Sequence, residues 1–358
     1  TSAPMPPQSG GTQAAGPTVV FGPEGLSFGA NAQVTIPFDA SAFTDPGGLR
    51  VFTRDANGDI TEITGVVFDL VAGTATFPVS HFSSFRVFGP TLPPPVTGDL
   101  DGDGVGELLV RAPHVGRVYG FRGAPGVAGE GGSTDGADFL LSGTAQGSRF
   151  GEVVVPCDLN QDGREDLAVS APRADVSGRV HVFLGRDGFD SRDAAAADVT
   201  FTAQPGDFGF GIRMAAADVN GDGIDDLVVG AEGSSVGVQG AGAAYVFLGS
   251  RELASRSSSA ARVTLTGLAA GDGFGASVAA ADVTGDGVAD VIVGADQLQN
   301  RGAGGVYVFA GGAGLRAGDA RRAAFTLSGA AANDAFGLEC ATGDVTGDGV
   351  ADLVVTAA

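Results

Sequence analysis

The strongest constraint on this 358-residue chain is an internal repeat of about 60 residues. Each repeat contains a nine-residue acidic loop of the form Asp-x-[Asp/Asn/Thr]-x-Asp-Gly-x-x-[Asp/Glu], and successive loops are 59, 60, 64 and 62 residues apart. A spacing this long and steady is typical of stacked supersecondary units that bury apolar surface against their neighbours. The five loops begin at Asp99, Asp158, Asp218, Asp282 and Asp344.

Other features recur in step with the loops. A Phe-Gly pair lies eight residues before four of them, an apolar run follows each loop, and a later strand carries an aromatic residue in one position. Together they predict about four short strands per repeat, which favours the four-stranded blades of an all-β β-propeller over a solenoid, whose repeats are usually shorter. The phenylalanines are Phe150, Phe210, Phe274 and Phe336, and the later position holds Tyr119, His181, Tyr245 and Tyr307.

The two outermost repeats are expected to be incomplete. The first lacks its Phe-Gly strand and the fifth stops just after its second strand, which gives an expected total of 17 strands. That number makes no closed ring of four-stranded blades, so we expect the natural polypeptide to continue beyond Ala358.

The region before the repeats has a different character. Residues 1–16 contain almost no large apolar side chain and are predicted to be a flexible tail or linker. Residues 17–89 are predicted to form a small β-sandwich, residues 90–96 a Pro-rich linker, and residues 97–358 the propeller repeats. The alternating runs that predict sandwich strands are 33–38, 49–53, 65–69, 74–79 and 85–88.

The acidic loops indicate calcium sites. Carboxylates crowded into nine residues repel one another unless a cation neutralises them, and hard oxygen ligands at alternating positions with a glycine at the turn suit Ca²⁺. We number the loop positions one to nine. The side-chain candidates are Asp99, Asp158, Asp218, Asp282 and Asp344 at position one; Asp101, Asn160, Asn220, Thr284 and Thr346 at three; Asp103, Asp162, Asp222, Asp286 and Asp348 at five; and Glu107, Asp166, Asp226, Asp290 and Asp352 at nine. The backbone carbonyl at position seven belongs to Val105, Arg164, Ile224, Val288 and Val350.

Alternative interpretations of the loops are weaker. An isolated Asp-Gly turn is common, but acids at positions one, five and nine in all five copies are not a chance pattern. EF-hands and dockerins need flanking helices and an acid at position twelve, where this chain has a strand valine in every copy. We expect up to five structural Ca²⁺ ions, held more weakly by the two loops with threonine at position three.

The Phe-Gly pair, the acidic loop and the Gly-Ala-Pro-like segment after it resemble the FG-GAP repeats of the integrin α-subunit propeller. The resemblance covers 97–358. It implies calcium in hairpin loops on one face of the ring, and a protein or glycan ligand on the opposite face.

The region 17–89 resembles the small β-sandwich shared by ankyrins, netrin receptors and bacterial surface proteins. The residues that carry this resemblance are 21–25 and the segment His81-Phe82-Ser83-Ser84-Phe85. In some relatives a His-Phe-Ser sequence cleaves itself, which here would cut between Phe82 and Ser83. Three residues are a weak motif, so the alternative is that the two phenylalanines are core strand residues.

Few residues suggest catalysis. The segment 233–237 matches a G-x-S-x-G elbow but is followed by glycine-rich sequence rather than a helix, so we interpret it as a loop. His181 is expected to be a packed aromatic substitute, and Cys157 and Cys340 to be free, buried thiols. We therefore expect a protein that is not an enzyme.

Composition limits the function classes. A net charge of −22 disfavours nucleic-acid binding, the absence of lysine excludes a P-loop, and no apolar run reaches the length of a membrane span. Weak calcium sites favour an extracellular, secreted or surface protein, and a lysine-free composition is typical of GC-rich bacterial genomes. The first hypothesis is an adhesion or ligand-binding module. The alternatives are an accessory module of a secreted hydrolase or lyase, and a self-assembling subunit of a surface layer or filament.

Overall fold

The protein is all-β in the parts that its computed structural model describes. These parts are residues 96–123, 136–175 and 178–357, together with the backbone of eight strands between 12 and 90. The chain divides into two compact units, Thr1–Pro93 and Pro94–Ala358. In the described residues, the helical segments are 3₁₀ turns, at Ala194–Ala196, Ser258–Ala260, Gly312–Gly314 and Ala320–Arg322. None of the helices described is long and apolar enough to cross a membrane.

The strands of the first unit form two antiparallel sheets. One has the order β1-β8-β4-β5 with β2 also paired to β8, and the other has the order β3-β7-β6. The strands are β1 (Thr12–Ala14), β2 (Val19–Val20), β3 (Ser27–Pro37), β4 (Arg50–Arg54), β5 (Ile60–Ile63), β6 (Val67–Asp69), β7 (Thr74–His81) and β8 (Ser84–Pro90). All five sandwich strands expected from alternation overlap β3, β4, β6, β7 and β8.

Part of the predicted N-terminal tail forms a strand, and several other predictions for this unit fall outside the described residues. Thr12–Ala14, within the predicted tail, forms β1 against Phe88–Pro90, because backbone pairing needs no apolar side chains. The rest of 1–16, residues 91–95 of the predicted linker, and the Phe82-Ser83 bond lie outside the described residues. The preference for core strand phenylalanines over self-cleavage, and the predicted domain boundaries, therefore stay predictions.

The second unit contains four sheets of similar build and a final strand pair. In each sheet the first, second, third and fourth strands of a repeat pair antiparallel in chain order, and β18 pairs separately with β21. The strands are β9 (Val96–Gly98), β10 (Glu107–Ala112), β11 (Arg117–Phe121) and β12 (Phe139–Ser142); β13 (Val154–Cys157), β14 (Asp166–Ala171), β15 (Arg179–Phe183), β16 (Arg192–Asp193) and β17 (Val199–Thr202); β18 (Asp207–Phe208), β19 (Met214–Ala217), β20 (Asp226–Ala231), β21 (Gly233–Ser234), β22 (Ala243–Phe247), β23 (Arg256–Ser257) and β24 (Val263–Thr266); β25 (Phe274–Ala281), β26 (Asp290–Ala295), β27 (Gly305–Phe309), β28 (Gly318–Asp319) and β29 (Phe325–Ser328); β30 (Cys340–Gly343) and β31 (Asp352–Val355).

The first repeat has one more strand than expected. It lacks Phe-Gly, but the three residues of β9 pair with β10 in the place of a first strand. The expected count of three strands for this repeat was therefore wrong. Backbone pairing at a sheet edge requires only an extended segment, and Val96–Gly98 supplies one. The fifth repeat contributes β30 and β31 in the described residues, as expected.

Short parallel strands join consecutive sheets. β16, β23 and β28 each lie between the third and fourth strands of their own repeat, yet each pairs in parallel with the last strand of the preceding sheet. β16 pairs with β12, β23 with β17, and β28 with β24. Each repeat thus completes the edge of the repeat before it, which limits the exposed sheet edge.

The Phe-Gly pairs lie at the contacts between consecutive sheets, which confirms their predicted packing role. Phe150 is fully buried in a cluster that holds Val118 of the first sheet and Val169 of the second. Its ring centroid is 5.8 Å from that of His181 and 6.4 Å from that of Phe183. The same arrangement recurs at Phe210 and Phe274.

The glycine of each pair permits the close approach. Gly275 has φ +92°, and a Cβ built there would lie 2.3 Å from the Ala243 carbonyl oxygen of the preceding sheet. Gly242 and Phe274 form an isolated parallel bridge at the same junction. A Cβ on Gly242, whose φ is +86°, would lie 2.2 Å from the Phe274 carbonyl oxygen. No L-residue with a side chain fits either position without moving the sheets apart.

Replacing Gly242 with alanine therefore tests the junction between the third and fourth repeats. We expect a loss of at least about 2 kcal/mol in the free energy of unfolding, because left-handed strain adds to a backbone clash. Gly240→Ala is the matched control, since Gly240 has φ +66° but nothing within 4 Å of a built Cβ. It should cost only about 1 kcal/mol. Equal losses in denaturant melts of the two variants would show that the contact does not matter.

Candidate metal loops

Each acidic loop joins the first and second strands of its repeat. The second loop begins directly after Cys157, the last residue of β13, and its position nine, Asp166, is the first residue of β14. In the register of the hairpin, Cys157 pairs with Asp166. The position-twelve valines lie in the second strands, so the prediction that excluded EF-hands and dockerins is confirmed.

The position-one carboxylate organises its own loop. In the third loop, Asp218 Oδ1 accepts the backbone N–H groups of Gly221 at 2.7 Å and Asp222 at 3.1 Å, and its Oδ2 accepts that of Gly223 at 2.7 Å. Bonds of this kind to position one occur in all five loops. In the fourth loop they lower the pKa of Asp282, with the Gly287 N–H contributing most. Backbone N–H groups thus orient the carboxylate at position one in every loop, and in the fourth loop they also favour its ionised form.

The position-five carboxylate caps the second half of the turn. Asp222 Oδ1 accepts the Ile224 N–H at 3.0 Å, and Asp162 Oδ1 accepts the Arg164 N–H at 3.0 Å. The corresponding bond occurs in the other three loops. One oxygen of position five is therefore used by the backbone, and in the second and third loops the other accepts a hydrogen bond from the amide at position three.

The position-nine carboxylate is the buried one in the first four loops, whereas Asp352 of the fifth loop is half-buried. Asp226 is fully buried, and it accepts the Val219 N–H at 3.1 Å through Oδ2 and the Gly249 N–H at 2.9 Å through Oδ1. Burial raises the pKa of Asp226 to about 7, although the two backbone donors oppose that shift. The pKa of Asp166 is likewise raised to about 7 by burial, and burial also raises the pKa of Glu107. A buried carboxylate that is costly to ionise gains most from a divalent ion beside it.

Only the first loop brings three acidic ligands together. Among the described residues, Asp99, Asp101 and Glu107 form the single group of three His, Cys, Asp or Glu side chains whose ligand atoms lie within 4.8 Å of one another. The other loops have an amide or a hydroxyl at position three, as the sequence shows.

The amide at position three faces the carboxylates with its nitrogen. Asn160 Nδ2 donates to Asp162 Oδ2 at 3.0 Å, while its Oδ1 accepts the Asp162 N–H at 2.8 Å. Asn220 Nδ2 likewise donates to Asp222 Oδ2 at 3.0 Å. To ligate Ca²⁺ these amides would turn so that oxygen faces the ion, a rotation about one side-chain bond.

Neighbouring loops are connected by hydrogen bonds that the sequence did not reveal. The Glu165 carboxylate, at position eight of the second loop, accepts the Asp99 N–H of the first loop at 2.6 Å. Asp225, at position eight of the third loop, accepts the Asp158 N–H at 3.1 Å. Backbone bonds also link adjacent loops, such as the Glu165 N–H to the Asp99 carbonyl at 3.0 Å. The loops therefore lie side by side along one end of the sheets.

An arginine distinguishes the first loop from the others. Arg122 Nε lies 3.6 Å from Asp101 Oδ2, and Arg122 also donates to the Phe189 carbonyl at 2.7 Å. The equivalent residue in the second and third repeats is Leu184 or Leu248. The positive charge of the guanidinium therefore lies beside the acidic side chains of the first loop and reduces their attraction for a cation.

The chemistry of the donor atoms in each loop suits calcium, although among the described residues only the first loop brings three acidic ligand atoms within 4.8 Å of one another. Three carboxylates at positions one, five and nine, a polar side chain at position three and a carbonyl at position seven are hard oxygen ligands of the kind that Ca²⁺ prefers. The backbone N–H bonds to positions one and five keep those carboxylates in place. The predicted ligand roles themselves stay predictions.

Other residues singled out in the sequence are placed as follows. His181 is 6% exposed and packs beside Phe150, as predicted. Both cysteines are free as predicted, but Cys340 is only partly buried, because the strand pair that holds it has no described sheet beyond it. Ser234, in the segment interpreted as a loop, instead ends the two-residue strand β21 and is fully buried.

The family comparison agrees with this architecture. The FG-GAP repeat matches residues 150–183, 210–247 and 274–309, which are the second, third and fourth repeats from their Phe-Gly pairs to the end of their third strands. The chain contains FG-GAP repeats. These repeats form β-propeller blades, and the resemblance inferred from the sequence is confirmed for these three.

Two curated relatives are similar to part of the chain. The chain is 39% identical to mouse integrin alpha-IIb over 153 residues, which cover 38% of this chain and 14% of the integrin. It is 35% identical to bovine phosphatidylinositol-glycan-specific phospholipase D over 151 residues, which cover 37% of this chain and 18% of that protein. The chain thus spans less than a fifth of either relative's length. A solved lectin structure from Agrocybe aegerita matches with a TM-score of 0.36 at 16% identity over 86% of this chain and 70% of the lectin, a likeness too low to support a conclusion.

The raised pKa values of Asp166 and Asp226 predict how the metal-free protein responds to pH. Both groups bind protons more tightly in the folded state than at their ordinary value of 3.8. Their stabilising contribution is therefore complete below about pH 4 and is lost as the pH rises through about 7. In EDTA, the denaturation midpoint should fall between pH 5 and pH 8, and it should fall less in the double variant D166N/D226N. Equal pH slopes in the two proteins would contradict the burial argument.

Position three should set the relative calcium affinity of the loops. Asn220→Thr should weaken binding at the third loop, and Thr284→Asn should strengthen it at the fourth, each on the order of fivefold, comparable to one polar contact. Calcium titration by calorimetry of both variants measures the change. Thr264→Asn, on the fourth strand of the third repeat and outside every loop, is the control. The prediction is wrong if the two loop exchanges leave the affinities unchanged or shift them in the same direction.

Proposed function

We propose that the Pro94–Ala358 unit is an extracellular, calcium-stabilised β-propeller module that binds a protein or glycan ligand in adhesion and is not itself catalytic. One observation carries the proposal: all five acidic loops hold the carboxylate at position one by backbone N–H bonds. A loop preorganised in this way binds a cation without first having to order its ligands.

The overall charge supports calcium as a structural partner. The chain carries a formal charge of −22, and five bound Ca²⁺ ions would reduce it to −12. Self-repulsion of the folded state would fall accordingly, and an ion that binds only the folded form adds stability by mass action. Weak sites of this class, with Kd of about 10⁻⁴–10⁻³ M, are filled only where free calcium is abundant, which supports an extracellular location.

Two residues of types that often act in catalysis, His181 and Ser234, lie in packed surroundings. Burial lowers the pKa of His181 to about 4, so the imidazole is neutral at pH 7, and its polar side-chain neighbour is Thr200 at 3.5 Å. The buried Ser234 hydroxyl donates to Asp207 at 2.6 Å rather than to a histidine. Neither group is arranged as a nucleophile with a general base.

A second candidate function is favoured by one comparison. The match to phosphatidylinositol-glycan-specific phospholipase D falls within the repeats, so FG-GAP blades also accompany a protein named as a hydrolase. In that case this chain would be an accessory module, with catalysis elsewhere. Hydrolase assays on phosphatidylinositol-glycan and polysaccharide substrates distinguish the two, since the first candidate requires no activity from the chain.

Calcium removal is the direct test of the proposed function. Starting from calcium-loaded protein, EDTA should lower the melting temperature by several degrees, because occupancy at 100 times Kd contributes about 2.7 kcal/mol for one site. The variant D158N/D218N/D282N should show a smaller drop, and Asp190→Asn, an exposed acid outside the loops, should behave like the parent chain. An unchanged melt of the parent chain in EDTA would overturn the metal assignment.

A further inference from the structure

A buried polar network fills one end of the third repeat. Tyr245 OH donates to Asp207 Oδ1 at 2.5 Å, Ser234 Oγ donates to the same oxygen at 2.6 Å, and Ser258 Oγ donates to Asp207 Oδ2. All four side chains are 0% exposed. Both carboxylate oxygens are thus satisfied by hydroxyl groups, and the phenol ring occupies the space between the strands.

The second repeat replaces every member of this network with a smaller group. His181 pairs with Val169 and Thr200 just as Tyr245 pairs with Val229 and Thr264, so the two positions are equivalent. The other three equivalences are assigned by position in the repeat. One residue follows a glycine of positive φ shortly before the Phe-Gly pair, a second lies three residues after the second strand, and a third directly follows the short parallel strand. The counterparts of Asp207, Ser234, Tyr245 and Ser258 are Ser148, Ala174, His181 and Ala194.

A cavity of about 610 Å³ lies where the network is missing. All four counterparts line it, and its volume falls within the range of small-molecule sites. It lies beside the end of β14 and the start of β15, whereas the metal loop joins β13 to the other end of β14. The cavity and the calcium loop are therefore at opposite ends of the same sheet.

One polar group in this cavity lacks a partner. Ser148 is 3% exposed, and its hydroxyl makes no hydrogen bond with any residue that the structure describes. A buried hydroxyl without a partner costs free energy, so a ligand that bonds to it recovers that cost. The His181 ring lies on the same surface and, being neutral at pH 7, offers both a donor and an acceptor.

The remaining walls carry both hydroxyl and methyl groups, together with Phe150. Alanines at 145, 171 and 195 face the cavity together with a set of hydroxyl-bearing residues. The charged groups are Asp175, Arg179 and Arg256, of which Arg179 is paired to Asp175 at 2.6 Å. Such walls match a ring that carries hydroxyl groups at its edge and C–H groups on its faces. The hydroxyl-bearing residues are Thr144, Thr200, Thr202, Ser255 and Ser257.

We propose that this cavity is a binding site for one saccharide residue, free or at the end of a glycan. The proposal rests on the proposed function in placing a ligand at the end opposite the metal loops, and it names the chemical class of that ligand. Ser148 and His181 would bond to ring hydroxyls at the floor, and Arg256 and the hydroxyl-bearing walls would surround the outer edge.

The test uses the full calcium-loaded chain and a panel of monosaccharides. Methyl glycosides of glucose, galactose, mannose and N-acetylglucosamine, together with free glucuronate, are titrated by calorimetry and ligand-observed NMR, with glycerol and acetate as comparison probes. We expect saturable binding of at least one sugar. Binding of acetate alone, or of no probe, would overturn the proposal.

Two sets of variants locate the binding. S148D/A174S/H181Y/A194S rebuilds the network of the third repeat and should reduce affinity more than tenfold. Ser148→Ala removes a hydroxyl that makes no hydrogen bond within the described residues, so it should leave stability intact and weaken binding about fivefold, the effect of one lost hydrogen bond. Thr200→Ala should also weaken binding, while Thr264→Ala, its equivalent beside the filled network, should not. Binding that persists unchanged in the rebuilt variant and in Ser148→Ala would place the sugar elsewhere and overturn the proposal.

The two proposals can fail separately. A chain that loses stability in EDTA but binds no sugar would keep its calcium role and lose the cavity assignment. A chain that binds sugar through Ser148 but melts unchanged in EDTA would keep the cavity and lose the calcium role.

Discussion

The close approach of consecutive sheets at the Phe-Gly pairs is the constraint on which the second unit depends. The phenylalanine fills the space between two sheets, and the glycine beside it lets the backbones come within contact distance. Because both residues recur at a fixed distance before the acidic loop, each junction also fixes where that loop begins. The eight-residue segment from the Phe-Gly phenylalanine to the acidic loop therefore sets both the packing between sheets at its start and the position of the carboxylates at its end.

Much of this arrangement could be predicted from the sequence, because the repeat appears several times. Comparison of equivalent positions in successive repeats predicts the strands that flank each acidic loop, the packing of Phe150 and the aromatic role of His181. The short strand β9 was missed because nothing in Val96–Gly98 repeats a motif. The parallel strands were missed because two residues such as Arg192–Asp193 show no periodicity, and their pairing partner lies some 50 residues away in the preceding repeat.

In the candidate sites, too, features set by residues close together in the sequence could be predicted, and features set by distant residues could not. The ligand pattern of each acidic loop is local, so the sequence reveals it, whereas the bond from Asp99 N–H to Glu165 joins residues 66 positions apart. The cavity is harder still to foresee, because it arises from four separate exchanges that matter only together. Ser148 and His181 are unremarkable singly, and only the filled counterpart around Asp207 shows what they leave open.

The short parallel strands mean that the boundary of a sheet and the boundary of a repeat do not coincide. β23 belongs to the third repeat by sequence but completes the second sheet by hydrogen bonding. Excising one whole repeat would therefore leave its predecessor with an unpaired edge unless the next repeat supplied an equivalent strand at the same place. An exchanged repeat would therefore keep its predecessor's sheet complete only if it carried a short strand able to pair at the same place.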